Sequence, residues 1–257
     1  MRIATYNAAS VRARLPLILD WLAEHEPDVL AIQETKVEDD KFPTAAFDDL
    51  GYHVSLNGQK AWNGVATLSL MPPSRVQRGF GDPLFPEDAR LIACDVGGLE
   101  IVNTYVPNGS AVGSDKFEYK LRWLGRFAAF LRERYRPDQP LLWLGDINIA
   151  PTPDDVYDSR KFAGQVGHHP LEFEALRRIV DFGFTDLFRK FHEGPGLYTY
   201  WDFVIPRSVE RNLGWRIDHL YGTKPVAERC TSCEIEHLAR SVDKPSDHTF
   251  VFAEINL

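Results

Sequence analysis

The stretch Leu141-Leu142-Trp143-Leu144-Gly145-Asp146-Ile147-Asn148 is an apolar run that ends in an acid and an amide. Its first five residues have the length and composition of a buried β-strand, and the polar residues mark where that strand stops. Seven other short apolar runs bounded by Gly, Pro, Asn or Asp share this pattern: Arg2–Tyr6, Val29–Gln33, Val65–Leu70, Leu91–Asp95, Ile101–Tyr105, Ile217–Tyr221 and Thr249–Ile255. The chain is therefore predicted to be rich in strands.

Three segments between these runs carry apolar residues at helical spacing: Leu15–Glu26, Lys116–Tyr135 and Leu171–Phe182. Several strands nevertheless follow one another with no helix between them, which disfavours a plain doubly wound parallel sheet. We predict instead an α/β (α+β) fold, in which two mixed sheets pack face to face with helices outside. No repeat, low-complexity tract or linker divides residues 1–257, so we predict one domain.

The composition is that of an ordinary globular protein, with 44% apolar and 26% charged residues. No run of 18 apolar residues occurs, and the first residues form a strand pattern rather than a secretory signal. We therefore expect a cytoplasmic protein that does not associate with membranes, and we expect a monomer. The net charge of −8 is neutral evidence on DNA binding, because phosphate contacts depend on local basic clusters.

The chain has three cysteines, Cys94, Cys230 and Cys233. They are too few for a disulfide framework, which fits a reducing compartment. Cys230 and Cys233, with His237 nearby, could suggest a zinc or redox site. A zinc site needs four ligands, however, and no second pair of cysteines or histidines lies at suitable spacing. We expect ordinary, partly buried thiols.

Acids, amides and one histidine occur where the predicted strands begin or end. These residues are Asn7, Glu34, Asp146, Asn148, Asp218, Asp247 and His248. One carboxylate after a strand is usually a turn residue, but several in one chain predict a convergent site at one sheet edge. Mg²⁺ needs one or two carboxylates plus a substrate phosphate, and an aspartate held by an amide can activate water.

Four ordered motifs make the chain resemble the exonuclease III family of abasic-site endonucleases. They are Gln33-Glu34-Thr35-Lys36, Gly145-Asp146-Ile147-Asn148-Ile149-Ala150-Pro151, Arg216-Ile217-Asp218 and Lys244-Pro245-Ser246-Asp247-His248. A lone Ser-Asp-His is shared across a wide phosphodiesterase superfamily, whereas the first and last motifs together are specific. The resemblance implies a four-layered α/β sandwich. It also implies hydrolysis 5′ to abasic sites in double-stranded DNA, with 3′→5′ exonuclease activity and trimming of blocked 3′ ends.

The resemblance assigns a metal site and a water-activating group. Glu34 would hold the metal, expected to be Mg²⁺ with Mn²⁺ able to replace it. Asn7 would position Glu34 or the metal, and Asp247 would complete the acidic cluster. Asp146, positioned by Asn148, would orient and deprotonate the attacking water.

Other residues would bind the phosphate by the same resemblance. His248, paired with Asp218, would stabilise the phosphoryl oxygens, and Tyr105 and Asn108 would hydrogen-bond the scissile phosphate. Further cations are candidates to grip the DNA backbone, although each could equally be a solvated surface residue: Arg90, Lys116, Arg122 and Lys60.

A small apolar pocket for the flipped-out, baseless sugar is implied at Tyr200, Trp215 and Ile217. A missing base costs less unstacking energy to extrude than an intact one, and a slot too small for a base rejects normal nucleotides by sterics. Plain core packing is the alternative for these residues, above all for Ile217. His168 and His169 follow in a predicted loop and are expected at the surface.

One position departs from the family's pattern. The family has a second polar residue two positions after Asn7, whereas this chain has Ala9. That side chain generally serves the shell of the metal, so we expect an active enzyme with weaker Mg²⁺ binding. Its loss could also change the balance between endonuclease and 3′-end activities.

Two other functions stay open on the sequence alone. Within the superfamily, the chain could be a lipid or inositol phosphate phosphodiesterase or a nonspecific deoxyribonuclease, but secreted relatives of those kinds usually carry signals or disulfides. It could also be a damage-binding module that has lost catalysis, which only Ala9 favours. Binding a polyanion does not need a cluster of carboxylates, so their retention argues for an enzyme.

Overall fold

The computed structural model describes residues 1–85, 88–236, 238–240 and 242–256. Within these residues, twelve strands form two six-stranded sheets. The strands are β1 (Arg2–Asn7), β2 (Val29–Gln33), β3 (His53–Asn57), β4 (Val65–Ser69), β5 (Ser74–Arg78), β6 (Leu91–Val96), β7 (Leu99–Tyr105), β8 (Leu141–Asp146), β9 (Phe184–Asp186), β10 (Asp218–Thr223), β11 (Cys230–Ile235) and β12 (Val251–Ile255). The helices are α1 (Val11–His25), α2 (Thr44–Asp48), α3 (Asp115–Arg134), α4 (Ser159–Phe162), α5 (Pro170–Val180) and α6 (Lys224–Ala227).

Both sheets are mixed. The first has the strand order β11-β12-β1-β2-β4-β3, and the second has the order β5-β6-β7-β8-β10-β9. Strands β1 and β2 run parallel, as do β7 and β8, while their other neighbours are antiparallel. The register places Asp146 opposite both Tyr105 and Asp218, so three predicted site residues meet at one edge of the second sheet.

Helices cover the outer face of each sheet and complete a four-layered sandwich, as predicted. Along β8, Leu142 and Leu144 belong to the core between the sheets, whereas Leu141 and Trp143 pack toward α3 and α5. This alternation follows from the two-residue period of a strand. On the other side, α1 contributes Ile18, Trp21 and Leu22 to the apolar layer that covers the first sheet. No helix in the described part of the chain has both the length and the apolar character needed to cross a bilayer.

A buried amide network joins the two sheets directly beneath the predicted site. The side chain of Gln33 donates to Asn103 Oδ1 at 2.7 Å, and Asn103 Nδ2 donates to the carbonyl of Ala66 at 2.8 Å. Buried polar groups are stabilising only when they are hydrogen-bonded, and these amides have their partners. The network fixes the end of β2 relative to β7, and so fixes the metal-side residues relative to the phosphate-side residues.

The eight predicted strands are all present, with boundaries shifted by a few residues. Helix α1 begins at Val11, four residues before the predicted start, and accommodates Pro16 within it. Four strands were not predicted: β3, β5, β9 and β11. Strand β11 carries Cys230 and Cys233, and both side chains are buried. Burial raises the pKa of both thiols. His237 lies outside the described residues.

Candidate active site

The predicted polar strand ends converge on one cleft of about 310 Å³. The predicted residues that line it are Glu34, Tyr105, Asn108, Asp146, Asn148, Tyr200, Trp215, Ile217, Asp247 and His248. They come from both sheets and from the loops that follow β2, β7 and β8 and precede β10 and β12. Residues separated by more than two hundred positions therefore share one surface because their strands end at the same edge.

Sharp turns at the strand ends direct these side chains into the cleft. Gly145 has φ +131°, and a Cβ there would lie 2.1 Å from the carbonyl oxygen of Thr104, so only glycine lets β8 approach β7 this closely. Left-handed backbone also occurs at Ala9, Glu34 and Asn148. Such conformations are costly for residues other than glycine, and they cluster at functional sites.

The amide of Asn7 holds two carboxylates together. Its Nδ2 donates to Glu34 Oε1 at 2.9 Å and to Asp146 Oδ2 at 2.8 Å. Lys36 Nζ lies 2.7 Å from the other oxygen of Glu34. Burial alone would raise the pKa of Glu34, but its contacts with Lys36 and Asn7 outweigh burial and lower that pKa. Glu34 is therefore ionised at neutral pH.

His248 is a buried histidine with carboxylates on both sides. Its Nδ1 lies 2.8 Å from Asp218 Oδ2, and its Nε2 lies 3.9 Å from Asp146 Oδ2. Burial would lower the pKa of the imidazole, but Asp218 and then Asp146 raise it to about 10. The ring is therefore a protonated imidazolium at neutral pH, and it can donate from both nitrogens.

Asp146 is the carboxylate at the centre of the cleft. Burial raises its pKa to about 7, the negative charges of Asp218 and Glu34 add to this rise, and His248 opposes it. Its Oδ1 accepts the backbone N–H of Asn148 at 2.9 Å, which fixes the direction of the carboxylate. A base whose pKa lies near the working pH is well suited to remove a proton from water.

The oxygen-rich side of the cleft fits a hard divalent cation. Among the described residues, Asp146, Asp218 and His248 form a group whose ligand atoms lie within 4.8 Å of one another. A protonated imidazole has no lone pair to offer, so His248 is a poor ligand here. Glu34, held by Asn7, and Asp247 in the same cleft offer the oxygen donors that such ions take, and a cation there would relieve the like charges that raise the pKa of Asp146.

Ala9 adds no oxygen atom to this side. Its backbone N–H donates to Asn7 Oδ1 at 3.0 Å, and its φ is +48°. Asp247, predicted to complete the acidic cluster, lines the same cleft and is partly buried.

The phosphate-side residues are placed unevenly. Asn108 Nδ2 donates to Asn148 Oδ1 at 3.0 Å, and Tyr105 lines the cleft, where burial raises its pKa. The guanidinium of Arg90 lies 4.8 Å from the centre of the Tyr105 ring and donates to the carbonyl of Tyr105, so it supports Tyr105. Lys116 is exposed in the first turn of α3 and does not line the cleft.

An apolar slot opens beside His248. Tyr200 lies between His248 and Trp215, with its ring centre 4.9 Å from the imidazole, and Ile217 packs with Ala150 and Val156 behind the slot. The sequence did not point to five further residues that line this cleft: Phe162, Val166, Gly167, Asp202 and Ile205. The rings of Phe162 and Trp215 meet edge to face, with their centres 4.7 Å apart. Phe162 lies in α4, a helix of one turn, which is too short to show a repeating apolar pattern in the sequence.

The expectation that His168 and His169 lie at the surface is wrong for His168. His168 is buried, with Nδ1 2.7 Å from the carbonyl of Ala150, and its ring packs edge to face against Phe173. His169 is partly buried and caps α5 together with Glu172. The sequence His169-Pro170-Leu171-Glu172 does contain a helix-start pattern, with proline at the first helical position and glutamate three residues after the cap.

A carboxylate poised near neutral pH, an imidazolium beside it and an oxygen-rich cation site lie together at one end of a four-layered sandwich. This combination of fold and site defines a hydrolase of phosphodiester bonds. The family described as Endonuclease/Exonuclease/phosphatase matches residues 4–248. The chain belongs to this family and, within it, to the exodeoxyribonuclease III group.

Three similar proteins place the chain in that group. Exodeoxyribonuclease III of Haemophilus influenzae is 33% identical over 267 aligned positions, which cover 99% of each protein. The structure of an AP endonuclease from Archaeoglobus fulgidus is 40% identical, with a TM-score of 0.97 and full coverage of both chains. The structure of a 3′ phosphatase from Neisseria, bound to a product DNA hairpin, is 36% identical with a TM-score of 0.95 and full coverage.

Proposed function

We propose that this chain is a Mg²⁺-dependent DNA repair nuclease, for which Mn²⁺ can replace Mg²⁺. It hydrolyses the backbone 5′ to abasic sites in double-stranded DNA and removes nucleotides or blocking groups from 3′ ends. We further propose that it acts as a monomer in the cytoplasm. The observation that carries the proposal is the apolar slot of Tyr200, Trp215 and Ile217, which opens directly beside the charged cluster.

Asp146 would act as the general base. Its raised pKa matches proton removal from water near neutral pH, and the N–H of Asn148 holds the carboxylate in place. The water oxygen attacks phosphorus as its proton passes to Asp146, and the bond from phosphorus to the 3′ oxygen breaks. The 3′ oxygen takes up a proton from solvent, Asp146 returns its own proton to solvent, and the products are a 3′ hydroxyl and a 5′ phosphate. The same step at a DNA end releases the terminal nucleotide, so one site serves both activities.

His248 would stabilise the negative charge that develops on the phosphoryl oxygens. Asp218 keeps the imidazole charged and oriented. Tyr105 and Asn108 would add hydrogen-bond donors, and fixed donors aimed at developing charge are among the strongest catalytic contributions. When a divalent cation is bound at Glu34, Asn7 and Asp247, it supplies Lewis-acid neutralisation of the phosphate.

The slot would select the lesion. Its walls are aromatic and aliphatic, and it adjoins His248 through Tyr200, so a sugar turned out of the helix would lie next to the reacting phosphate. A normal nucleotide would have to bring its base along, which costs unstacking energy and space. A lipid phosphodiesterase needs no such slot for a baseless sugar beside its catalytic acids.

The decisive experiment uses a 5′-labelled duplex that contains one tetrahydrofuran abasic analogue. We expect Mg²⁺-dependent incision on the 5′ side of the analogue, abolished by EDTA and by Asp146→Asn. The undamaged duplex serves as the control for selectivity. Tight binding without incision would identify a damage-binding module, and equal cutting of both duplexes would identify a nonspecific deoxyribonuclease.

A second candidate is an enzyme that acts chiefly on 3′ ends. This candidate is supported by the similarity to a 3′ phosphatase at 36% identity, which is close to the 40% identity with the AP endonuclease. A duplex with a recessed 3′ phosphate, assayed beside the abasic duplex, separates the two. A ratio of rates that favours phosphate release would shift the assignment toward 3′-end processing.

A further inference from the structure

A buried ion pair lies behind the loops that form one wall of the cleft. Lys120 on α3 and Glu172 in the first turn of α5 are both fully removed from solvent, and Lys120 Nζ lies 2.5 Å from Glu172 Oε1. Desolvating two charges is expensive, and an apolar pair of similar size is often at least as stabilising. A pair retained at this depth therefore invites a role other than stability.

The remaining contacts of Lys120 all lead to the active site. Its Nζ donates to the carbonyl of Asn148 at 2.7 Å and to the carbonyl of Asn108 at 3.2 Å. An ammonium has three donors, and three oxygen atoms surround this one. The side chains of the same two asparagines are hydrogen-bonded to each other at 3.0 Å, so one buried cation sets the spacing of the loops after β7 and β8.

Glu172 holds a third loop by hydrogen bonds. Its Oε2 accepts the backbone N–H of Gly167 at 2.8 Å and that of His169 at 3.2 Å. Gly167 lines the cleft, and a Cβ on it would lie 3.3 Å from the ring of Trp215. The pair thus connects three loops: the loop after β7 that carries Asn108, the loop after β8 that carries Asn148, and the loop that carries Gly167.

We propose that Lys120 and Glu172 form a positioning clamp that sets Asn108, Asn148 and Gly167 in the arrangement needed for hydrolysis. The clamp touches no substrate, because both side chains are fully buried. It acts through the backbone of residues whose catalytic roles rest on the proposed function. Misplacement of reacting groups by about 1 Å can cost on the order of 10²-fold in rate, so the clamp acts on kcat more than on KM.

Three variants separate positioning from simple packing. Lys120→Met removes the cation, and Glu172→Gln removes the charge while keeping the shape. The double variant Lys120→Met/Glu172→Leu replaces the whole pair with apolar groups, which restores packing without the contacts to the loops. Arg132→Met is the matched control, because Arg132 links the same two helices through the carbonyl of Arg178, away from the cleft.

Single-turnover rates, KM and thermal unfolding are measured for each variant on the abasic duplex. We expect kcat to fall about 10²-fold in Lys120→Met, by the misplacement effect, with KM changed less than about threefold. The double variant is expected to recover thermal stability but not kcat, while Arg132→Met keeps the kcat of the wild type.

Recovery of both stability and kcat in the double variant would overturn the clamp. If that variant fails to fold, Glu172→Gln decides: a wild-type kcat overturns the proposal, and a kcat reduced about tenfold or more, at unchanged KM, supports it. Rates are compared on whichever phosphodiester the wild type cleaves. If the wild type does not cut the abasic duplex, the proposed function is refuted, and the clamp is still tested on the substrate that the wild type does cleave.

Discussion

Two charged clusters adjoin the segment Arg216-Ile217-Asp218, and in each a cation lies between two carboxylates. The reactive cluster is Asp146, Asp218 and His248, and the arginine cluster is Asp155, Asp186 and Arg216. Both clusters are largely buried, but the pKa of Asp146 is raised, whereas the pKa values of Asp155 and Asp186 are lowered.

In the arginine cluster every charge has close partners. Arg216 donates to Asp155 at 2.6 Å and to Asp186 at 2.7 Å. Asp155 also accepts from Arg189 at 2.6 Å and from the hydroxyl of Thr152 at 2.7 Å. Burial alone would raise the pKa of both carboxyls, but Arg216 outweighs it, and both pKa values lie below the ordinary range.

In the reactive cluster the cation lies close to only one of the two carboxylates. His248 bonds Asp218 at 2.8 Å but lies 3.9 Å from Asp146, and Asp218 Oδ1 is buried with no hydrogen-bond partner among the residues that the structure describes. Burial and the neighbouring acids raise the pKa of Asp146 to about 7. The guanidinium of Arg216 lies within hydrogen-bond distance of both its carboxylates, whereas the imidazolium of His248 lies that close only to Asp218 and leaves its second donor free toward the cleft side of Asp146.

This difference suggests a structural role for the arginine cluster and a chemical role for the reactive cluster. Saturated charges hold the strand and loops in place, while unsatisfied acids beside the cleft leave capacity for a cation, a water molecule and a phosphate. Four predictions test this contrast, in order of decreasing effect.

Replacing Asp146 by Asn should remove activity without loss of stability. The amide keeps the shape but cannot take a proton, so kcat should fall about 10³-fold, while relief of like-charge repulsion leaves the unfolding temperature equal or higher. Single-turnover incision and thermal unfolding provide the two readouts. A loss of less than tenfold would remove Asp146 from the role of base.

Replacing Arg216 by Met should mainly reduce stability. It removes the cation shared by the buried Asp155 and the partly buried Asp186, and breaking a buried pair in this way costs about 3 kcal/mol or more. Urea unfolding at pH 7 measures the loss. Arg75→Met is the control, because Arg75 also contacts two carboxylates, Asp95 and Glu100, but at the exposed surface, where little change is expected.

The arginine cluster should also make stability depend on acidity. Carboxyls with a lowered folded pKa stabilise the protein above the unfolded value of about 3.9, and that stabilisation is lost as the pH falls through the folded pKa. Between pH 5 and pH 3 we expect the free energy of unfolding to drop by roughly 1 kcal/mol from Asp186 alone. Asp186→Asn should flatten this slope in urea titrations, and an unchanged slope would contradict the assignment.

Replacing Ala9 by Asn should strengthen metal binding. The backbone at Ala9 is left-handed, a conformation that asparagine tolerates well, and the new side chain restores an oxygen donor. The Mg²⁺ concentration for half-maximal incision should fall by up to roughly tenfold. Ala9→Ser is a weaker donor for comparison, and an unchanged Mg²⁺ dependence in Ala9→Asn would show that Ala9 has no effect on the metal.

The strand predictions are correct where burial imposes a clear apolar pattern, and they miss the strands at the edges of the two sheets. Strand β5 is an edge strand with mostly exposed residues, so it shows no apolar alternation to detect. Strand β11 has a register shift between Cys230 and Ser232, which breaks the two-residue period. Lys120 and Glu172 lay inside predicted helices as ordinary charged residues, because nothing in a helical pattern says that two such positions face each other.

The chemical inventory came from the sequence alone: acids, amides and a histidine at strand ends, in an order that resembles one family. Local patterning suffices for this, since each residue's position at a strand end depends only on its neighbours in the chain. Which charges are neutralised was decided by the tertiary structure. Asp155 and Asp218 are both acids near turns, and only their distances to Arg216 and His248 make one a brace and the other part of a reactive centre, because electrostatic energy depends on separation and burial in space.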